Sequence, residues 1–468
     1  MSSPNSFYDP IIRLNNKILN NFIDKSPHKT FSDSPIQMIK PIIPKSRKRV
    51  YPRNSDQENK PPIFNGVFES GNIDIVYERS KYIYEITVKH DPGKKQNSQW
   101  FFFAVNRIPP GNYLFIISGL RKKSSLMRYG VCPVAFSRND SLQGIGWQRF
   151  GNNVNMWLSS SRPPKSYSIS FEFSVKSTDE ISFANQFPYT YSDMIRQLHS
   201  FSPLFFFNII GKSHSGVEIP AIFWDCDMMC FRSPINSQST KNYQNGKPLI
   251  ILASRIHPGE TVSSYAMHGF INTLFNESSE SKNLLSSFSF FIVPMMNPDG
   301  VICGWQRPAK LGYDMNRVWK TPSRKKHTEA MIILDILDSL CTQRKPLFFL
   351  DFHGHAGQWN AFTYGVSNPN VPLNEFESLF PKLMAENCPF FDIEGGCSLS
   401  PEGYDTTMRV ALHHRYAIPF SYTLEMSYGG CDLLSENHQM VPTDYMNVGE
   451  CVAYTLSEMF NKWLPPFL

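Results

Sequence analysis

The 468-residue chain contains no run of about 18 consecutive apolar residues, so no membrane-spanning helix is expected. Its opening stretch, MSSPNSFYDPIIRLNN, lacks a basic segment followed by an apolar one, and a secretory leader is not expected. Cysteine is sparse: nine residues, odd in number and scattered, suit free thiols in a reducing compartment better than a disulfide framework. Cys226 and Cys230 stand close together, but no second Cys/His pair lies near them, which argues against a structural metal there. No internal repeat of about 20–50 residues is visible, which sets repeat architectures aside. Most of the chain also lacks net charge. The formal +6 arises in residues 1–60, with 11 Lys and Arg against 5 Asp and Glu, and the remaining 35 of each sign cancel. A neutral body gives no support for nucleic-acid binding by the folded part.

Residues 1–60 are rich in Pro, Ser, Asn and Lys and read as a basic, mostly disordered tail. Within it, KSRKRVYPR (45–53) suits a nuclear signal, a polyanion contact or a solvated tail. Over 61–200, short runs such as IDIVYE, KYIYEITVKH, QWFFFAVN, NYLFIIS and YSISFEFSV alternate apolar and polar residues between turn formers. An antiparallel β-sandwich of about eight strands is expected, with Trp100, Phe101, Trp147 and Trp157 as core aromatics rather than a base-stacking platform. YTYSDMIRQLHSF (189–201) reads as a linker helix with Ser192 or Asp193 near its start. Over 201–468, buried strand-like runs alternate with helical stretches at 260–275, 327–340, 373–388 and 445–464. This predicts an α/β domain with a mixed sheet flanked by helices on both faces. Gly211-Lys212-Ser213 resembles the end of a phosphate-binding loop, but the glycine that should open it is missing, so nucleotide binding is not expected.

The ends of three apolar runs carry groups able to do chemistry. PLIILASRIHPGE places His257 and Glu260 three residues apart at a strand end, where α/β enzymes bind ligands. PLFFLDFHGHA supplies His353 as a third candidate ligand, and PFSYTLEMSYGG supplies Glu425 as a candidate base. Three protein ligands with one open position is the usual plan of a catalytic zinc site, and a nearby carboxylate can move a proton from water to a leaving amine.

The motifs HPGE, NPDGV, DMNRVW, DFHGH and SYTLE occur in this order and resemble the zinc carboxypeptidases, above all their cytosolic branch, the tubulin deglutamylases. Ahead of them, FESGN (68–72), QWFFFAVN (99–106), GWQRFG (146–151) and FPYTYS (187–192) resemble the β-rich domain that precedes the catalytic domain in that branch. The resemblance spans residues 62–465. It implies a zinc-carboxypeptidase-like fold and one zinc per chain held by His257, Glu260 and His353. His355 is the alternative to His353 within DFHGH. It further implies Glu425 as base, Arg307 for the oxyanion, Asp314 orienting the first histidine, and Asn316 with Arg317 holding the substrate's terminal carboxylate. Arg409 resembles the arginine that selects an acidic last side chain, although Thr406-Thr407-Met408-Arg409 departs from the branch's G-T-A-R and leaves Arg415 as an alternative. Tyr404 stands near the position of a mobile substrate-binding tyrosine.

The resemblance thus implies zinc-dependent removal of C-terminal glutamate from acidic protein tails, with tubulin polyglutamate chains as the partner and the cytoplasm as the place. Cytoskeletal association and nuclear entry through the basic tail stay open, and no membrane partner is expected. Two other readings are a carboxypeptidase with neutral side-chain preference and an inactive tubulin-binding protein. The presence of all three ligands and the base argues against the last.

Overall fold

The computed structural model describes residues 29–32, 34–35, 40–52, 60–93, 97–162, 164–201, 207–225, 246–366, 378–396, 404–434 and 437–463. Cys226, Cys230, residues 1–28 and residues 373–377 lie outside them.

The β half consists of two stacked sheets. Strands β1 (Lys48–Tyr51), β3 (Val76–Ser80), β4 (Ile83–Thr87), β6 (Gly111–Leu120), β10 (Ser166–Val175) and β9 (Asn152–Ser160) form one, in that spatial order. The other runs β2 (Ile63–Asn65), β5 (Phe102–Ile108), β11 (Asp179–Ala184), β7 (Val134–Ser137) and β8 (Gln148–Arg149). Phe103, Phe115, Phe171 and Phe183 fill the space between them. Eleven strands among the described residues exceed the eight expected, because short edge strands such as β2 and β8 carry too little periodicity to be read. The pairing is antiparallel except for β4 beside β6, which is parallel. QWFFFAVN has no polar face because β5 is covered on both sides. Phe101 and Phe103 enter the sandwich core, while Trp100 and Phe102 pack against the α/β half.

The segment read as a loose tail is partly built into both halves. Lys48–Tyr51 forms β1 and pairs with β3. Phe31 stacks on Trp359 with ring centroids 3.9 Å apart, and the Lys29 carbonyl accepts from Gln439 N at 3.0 Å. The linker helix α1 (Tyr191–Ser200) has Ser192 and Asp193 in its first turn, as expected, and is capped by Thr190, with Asp193 closing a reciprocal capping box.

The α/β half is a seven-stranded mixed sheet in the order β12 (Phe207–Lys212), β13 (Glu218–Trp224), β15 (Ser289–Val293), β14 (Leu249–Ser254), β16 (Pro346–His355), β18 (Phe420–Ser427), β17 (Ala361–Tyr364). The central strands β15, β14, β16 and β18 are mutually parallel. Along β14, Ile250 and Leu252 face one core and Leu249, Ile251 and Ala253 the other, so helices cover both faces. On the first face lie α2 (Val262–Leu274), α3 (Ser279–Ser287), α5 (Leu379–Asn387) and α7 (Pro442–Glu458); on the second lie α4 (Thr328–Gln343) and α6 (Met408–Tyr416). A Cβ at Gly269 would stand 1.9 Å from Met446 O, and one at Gly449 1.8 Å from Ala266 O. These two glycines are what let α2 and α7 cross so closely. Gly211-Lys212-Ser213 closes edge strand β12 and forms no phosphate cradle, since the Ser213 hydroxyl donates to Asp299 Oδ1 at 2.5 Å. Among the described residues, no helix is long and apolar enough to cross a membrane.

Candidate active site

The site forms where β14, β16 and β18 end together. After β14, Arg255 takes a left-handed φ of 57°, which non-glycine residues seldom adopt. Its buried guanidinium donates to Pro258 O at 3.1 and 2.7 Å, to Tyr189 O at 2.8 Å and to Ser264 Oγ at 3.0 Å. Burial lowers its pKa to about 10. Four bonds to a three-residue stretch and its surroundings brace the HPGE turn. Gly259 sits close under Gln306 in that turn, since a Cβ there would stand 2.6 Å from the side-chain amide and push it aside.

The braced turn and the end of β16 bring His257, Glu260 and His353 together. One ligand atom from each lies within 4.8 Å of the others. His257 Nδ1 is 2.9 Å from Glu260 Oε1, and His353 Nδ1 is 2.9 Å from Glu260 Oε2. The outer ring nitrogens are held by carboxylates: His257 Nε2 lies 3.2 Å from Asp314 Oδ1, and His353 Nε2 lies 2.7 Å from Asp351 Oδ2. Burial alone would raise the Glu260 pKa, but the two imidazoles outweigh it and hold it well below the usual range. Asp314 is also held low, with burial outweighed by His257, Arg307 and Arg317. The donor set fits a zinc ion. Two imidazole nitrogens and a carboxylate converge, both outer nitrogens have carboxylate partners, and Glu425 Oε2 and Asp351 Oδ1 are buried without a hydrogen-bond partner. His355, two residues on, lines the cleft but accepts from Gly357 N at 3.3 Å and is not among the converging ligands.

Glu425 on β18 is the register partner of His353 on β16, so parallel pairing itself sets the candidate base beside the ligands. Loss of water raises its pKa first and Glu260 raises it further, against the pull of His353, His257 and Arg307. A carboxyl tuned upward is suited to taking and returning a proton. Arg307 Nε donates to Asp314 Oδ2 at 2.8 Å, which leaves its Nη donors for the cleft it lines. Asn316 and Arg317 follow Asp314 in a short turn; Asn316 Oδ1 accepts from Met408 N at 2.9 Å, and exposed Arg317 lies 5.4 Å from the Tyr404 ring. Arg409, 5% exposed, donates to Gly365 O at 2.9 Å and to Thr423 Oγ1 at 3.4 Å and lines the same cleft. Arg415 instead pairs with Asp338 at 2.7 Å and does not line it. The cleft, about 440 Å³, thus gathers every candidate read from the sequence except the second-layer Asp314 and the alternative Arg415.

Several residues that shape the site escaped the sequence reading. Asp351, fully buried, orients His353; an Asp inside an apolar strand was the available signal. The β half supplies the others. Ser70 Oγ donates to Val301 O at 2.7 Å, and Asn72 Nδ2 donates to Gly304 O at 3.0 Å, so FESGN clamps the NPDGV turn. Asp91 accepts from Gln306 N at 3.0 Å and Arg307 N at 3.1 Å. Arg149, in GWQRFG, donates to Tyr428 O at 2.7 Å and Met440 O at 2.8 Å. The β-half motifs therefore seat the loops of the other half.

Residues 191–448 match the zinc carboxypeptidase family. The chain is 33% identical to cytosolic carboxypeptidase 2 of Xenopus tropicalis over 79% of its own length and 38% of that protein. It is 31% identical to cytosolic carboxypeptidase 1 of Danio rerio over 79% of this chain and 34% of that one. With human cytosolic carboxypeptidase 2 it shares 30% identity over 80% of this chain and 42% of that protein. The chain therefore spans well under half the length of these curated relatives. In structure it resembles a metallo-carboxypeptidase from Pseudomonas aeruginosa, solved in complex with (2-guanidinoethylmercapto)succinic acid, with a TM-score of 0.68, 20% identity and coverage of 85% of this chain and 98% of that one. A metallo-carboxypeptidase from Burkholderia cenocepacia gives a TM-score of 0.65 at 18% identity, over 84% and 97% of the two chains. At such identity the likeness is one of fold, and it extends across both halves.

Proposed function

The chain belongs to the zinc carboxypeptidase family, and from that premise we propose that it removes C-terminal glutamate from acidic protein tails, with tubulin tails as the substrate and the cytoplasm as the place of action. The curated relatives carry the name cytosolic carboxypeptidase, which supports the location. The observation that carries the reading is the convergence of His257, Glu260, His353 and Glu425 at the floor of one cleft whose walls hold Arg307, Arg317 and Arg409.

His257, Glu260 and His353 would hold a zinc ion, which when bound would supply Lewis-acid polarisation of the scissile carbonyl and lower a water's pKa to about 7. The chain's own groups do the rest. Glu425 takes the water proton at its unpartnered Oε2 and returns it to the leaving nitrogen. Arg307, steadied at Nε by Asp314, presents its Nη donors to the developing oxyanion, a role worth about 3 kcal/mol per donor. Asn316 and Arg317 grip the terminal carboxylate, which only a chain end offers. Arg409 takes the acidic last side chain, with which it can form a charge-assisted bond that a neutral side chain cannot offer.

The test is mass spectrometry of tubulin and of synthetic glutamate-tailed peptides after incubation with the zinc-loaded protein. Stepwise loss of terminal glutamate is expected. Unchanged masses support an inactive binding protein, and faster trimming of neutral-ended peptides supports a carboxypeptidase of neutral preference.

A further inference from the structure

We propose that Arg121 and Lys122, on the β-sandwich wall of the cleft, form an outer anionic subsite that receives a carboxylate side chain upstream of the residue being removed. This inference rests on the carboxypeptidase reading of the site and deepens it, because it assigns the side chains that contact the acidic residues ahead of the last one.

Both residues line the same cleft as His257, His353 and Glu425, from the opposite half of the molecule. Neither has a carboxylate within ion-pairing distance among the described residues. Arg307, Arg138 and Arg324 differ in this respect: they pair with Asp314 at 2.8 Å, Glu180 at 2.7 Å and Asp335 at 2.6 Å. Two adjacent cations without an anion, at the mouth of a catalytic cleft, are a place for a ligand's charge.

The wall is also set in position. Arg121 N donates to Ser98 O at 2.7 Å, and its side chain donates from Nη1 to Pro164 O at 2.5 Å. Arg121 Nη2 lies 3.4 Å from His90 Nε2, and His90 Nδ1 lies 3.0 Å from Ser98 Oγ, which donates to Gly119 O at 2.9 Å. Arg121 Nε is buried and has no hydrogen-bond partner. The guanidinium is thus held at one edge and keeps unused donors. Leu126 N donates to Ala356 O at 3.0 Å, which ties the segment following Lys122 to the chain just beyond His353 and His355. The spacing between the two cations and the metal ligands is therefore fixed by bonding between the halves.

Direction along the substrate follows. Asn316, Arg317 and Arg409 take the last residue on the α/β wall, so the preceding residues leave past the opposite wall, where Arg121 and Lys122 stand. The neutrality of residues 61–468 means that no bulk field makes this selection. A local pair of cations has to do it.

The test is equilibrium binding, by fluorescence anisotropy, of two peptides to the zinc-loaded full chain. Both end in Glu through a non-cleavable reduced bond; one carries Glu and the other Gln at the two preceding positions. The wild type should bind the Glu peptide roughly fivefold to tenfold tighter at low ionic strength, and the ratio should shrink with salt. Lys122 is exposed, so its replacement leaves the core alone. Lys122→Glu should bring the ratio to about one, and Lys122→Arg should keep the wild-type ratio. A wild-type ratio of one, or an unchanged ratio in Lys122→Glu, overturns the proposal. A parallel hydrolysis assay that shows preference for Leu-ended over Glu-ended peptides overturns the terminal selectivity proposed above while leaving the binding ratio to decide this subsite.

Discussion

Glu425 and Asp91 are two carboxylates near Arg307, one from each half of the molecule. Glu425, from the α/β half, keeps Oε2 without a partner and faces the cleft with the metal ligands. Asp91, from the β half, has both oxygens occupied by the main-chain N–H groups of Gln306 and Arg307. The contrast extends to their neighbours. The α/β half leaves polar atoms open for a substrate, whereas Ser70, Asn72 and Arg149 of the β half spend theirs on carbonyls of the site-bearing loops. The difference teaches that the reacting centre is made by one half and seated by the other. Substitutions at the reacting groups should change chemistry at constant fold; those at the seating residues should change fold and placement first.

The sharpest separation is expected from Glu425→Gln. The amide keeps size and polarity but cannot accept the water proton, so turnover should fall by about 10³ with thermal stability and metal content unchanged. A near wild-type rate would place the base elsewhere. Next, His257→Ala and His353→Ala should reduce zinc from one per chain to near none, read by atomic emission, because two ligands of a three-ligand site rarely suffice. Full metal content in both variants would break the ligand assignment.

Asp91→Asn probes the other half. Burial raises the Asp91 pKa to about 7, against the lowering effect of the two N–H donors. A folded pKa above the unfolded value means that the native state binds the proton more tightly. The resulting stability is complete below about pH 4 and is lost as pH rises towards about 7, at no more than about 1.4 kcal/mol per unit. Asparagine has no such proton, so the variant's unfolding free energy should be flatter over that window. With Arg307 N less firmly held, kcat/KM should fall about tenfold at unchanged zinc content. Equal pH slopes in the two proteins would contradict the account of Asp91.

Phe31→Ala should have the smallest effect. Loss of the stack on Trp359 costs about 1 kcal/mol, or a fall in Tm of roughly 2–4 °C, with unchanged Glu-over-Leu preference. Removal of residues 1–60 should be more damaging, since it also removes β1 from its sheet, and a deleted chain that melts like the full one would contradict the docking of this segment.

The same contrast governs what the sequence made legible. Groups that do chemistry stood out because parallel strands must end together. An apolar run followed by His353 and another followed by Glu425 become register partners, and no longer-range knowledge is needed to suspect that they meet. Residues that seat the site were silent because their partners are main-chain atoms, which every sequence has. Arg149 and Arg255 look like ordinary arginines until the carbonyls around them are seen. Ser70 and Asn72 lay in a motif noticed only through resemblance, with no chemistry attached. The alternation that announced the sandwich was weakest at β5, which is covered on both faces. Composition averaged over 60 residues hid β1, a four-residue strand that exists because β3 offers it an edge.

The central claim, hydrolysis directed to acidic chain ends by Arg409, is tested most directly by the ratio of kcat/KM for matched peptides ending in Glu and in Leu. The wild type should prefer Glu by roughly 10² or more, since only an acidic side chain offers the buried guanidinium a charge-assisted bond, and Arg409→Ala should bring the ratio near one at full zinc content. A wild type that prefers Leu, or a ratio unchanged in Arg409→Ala, would contradict it.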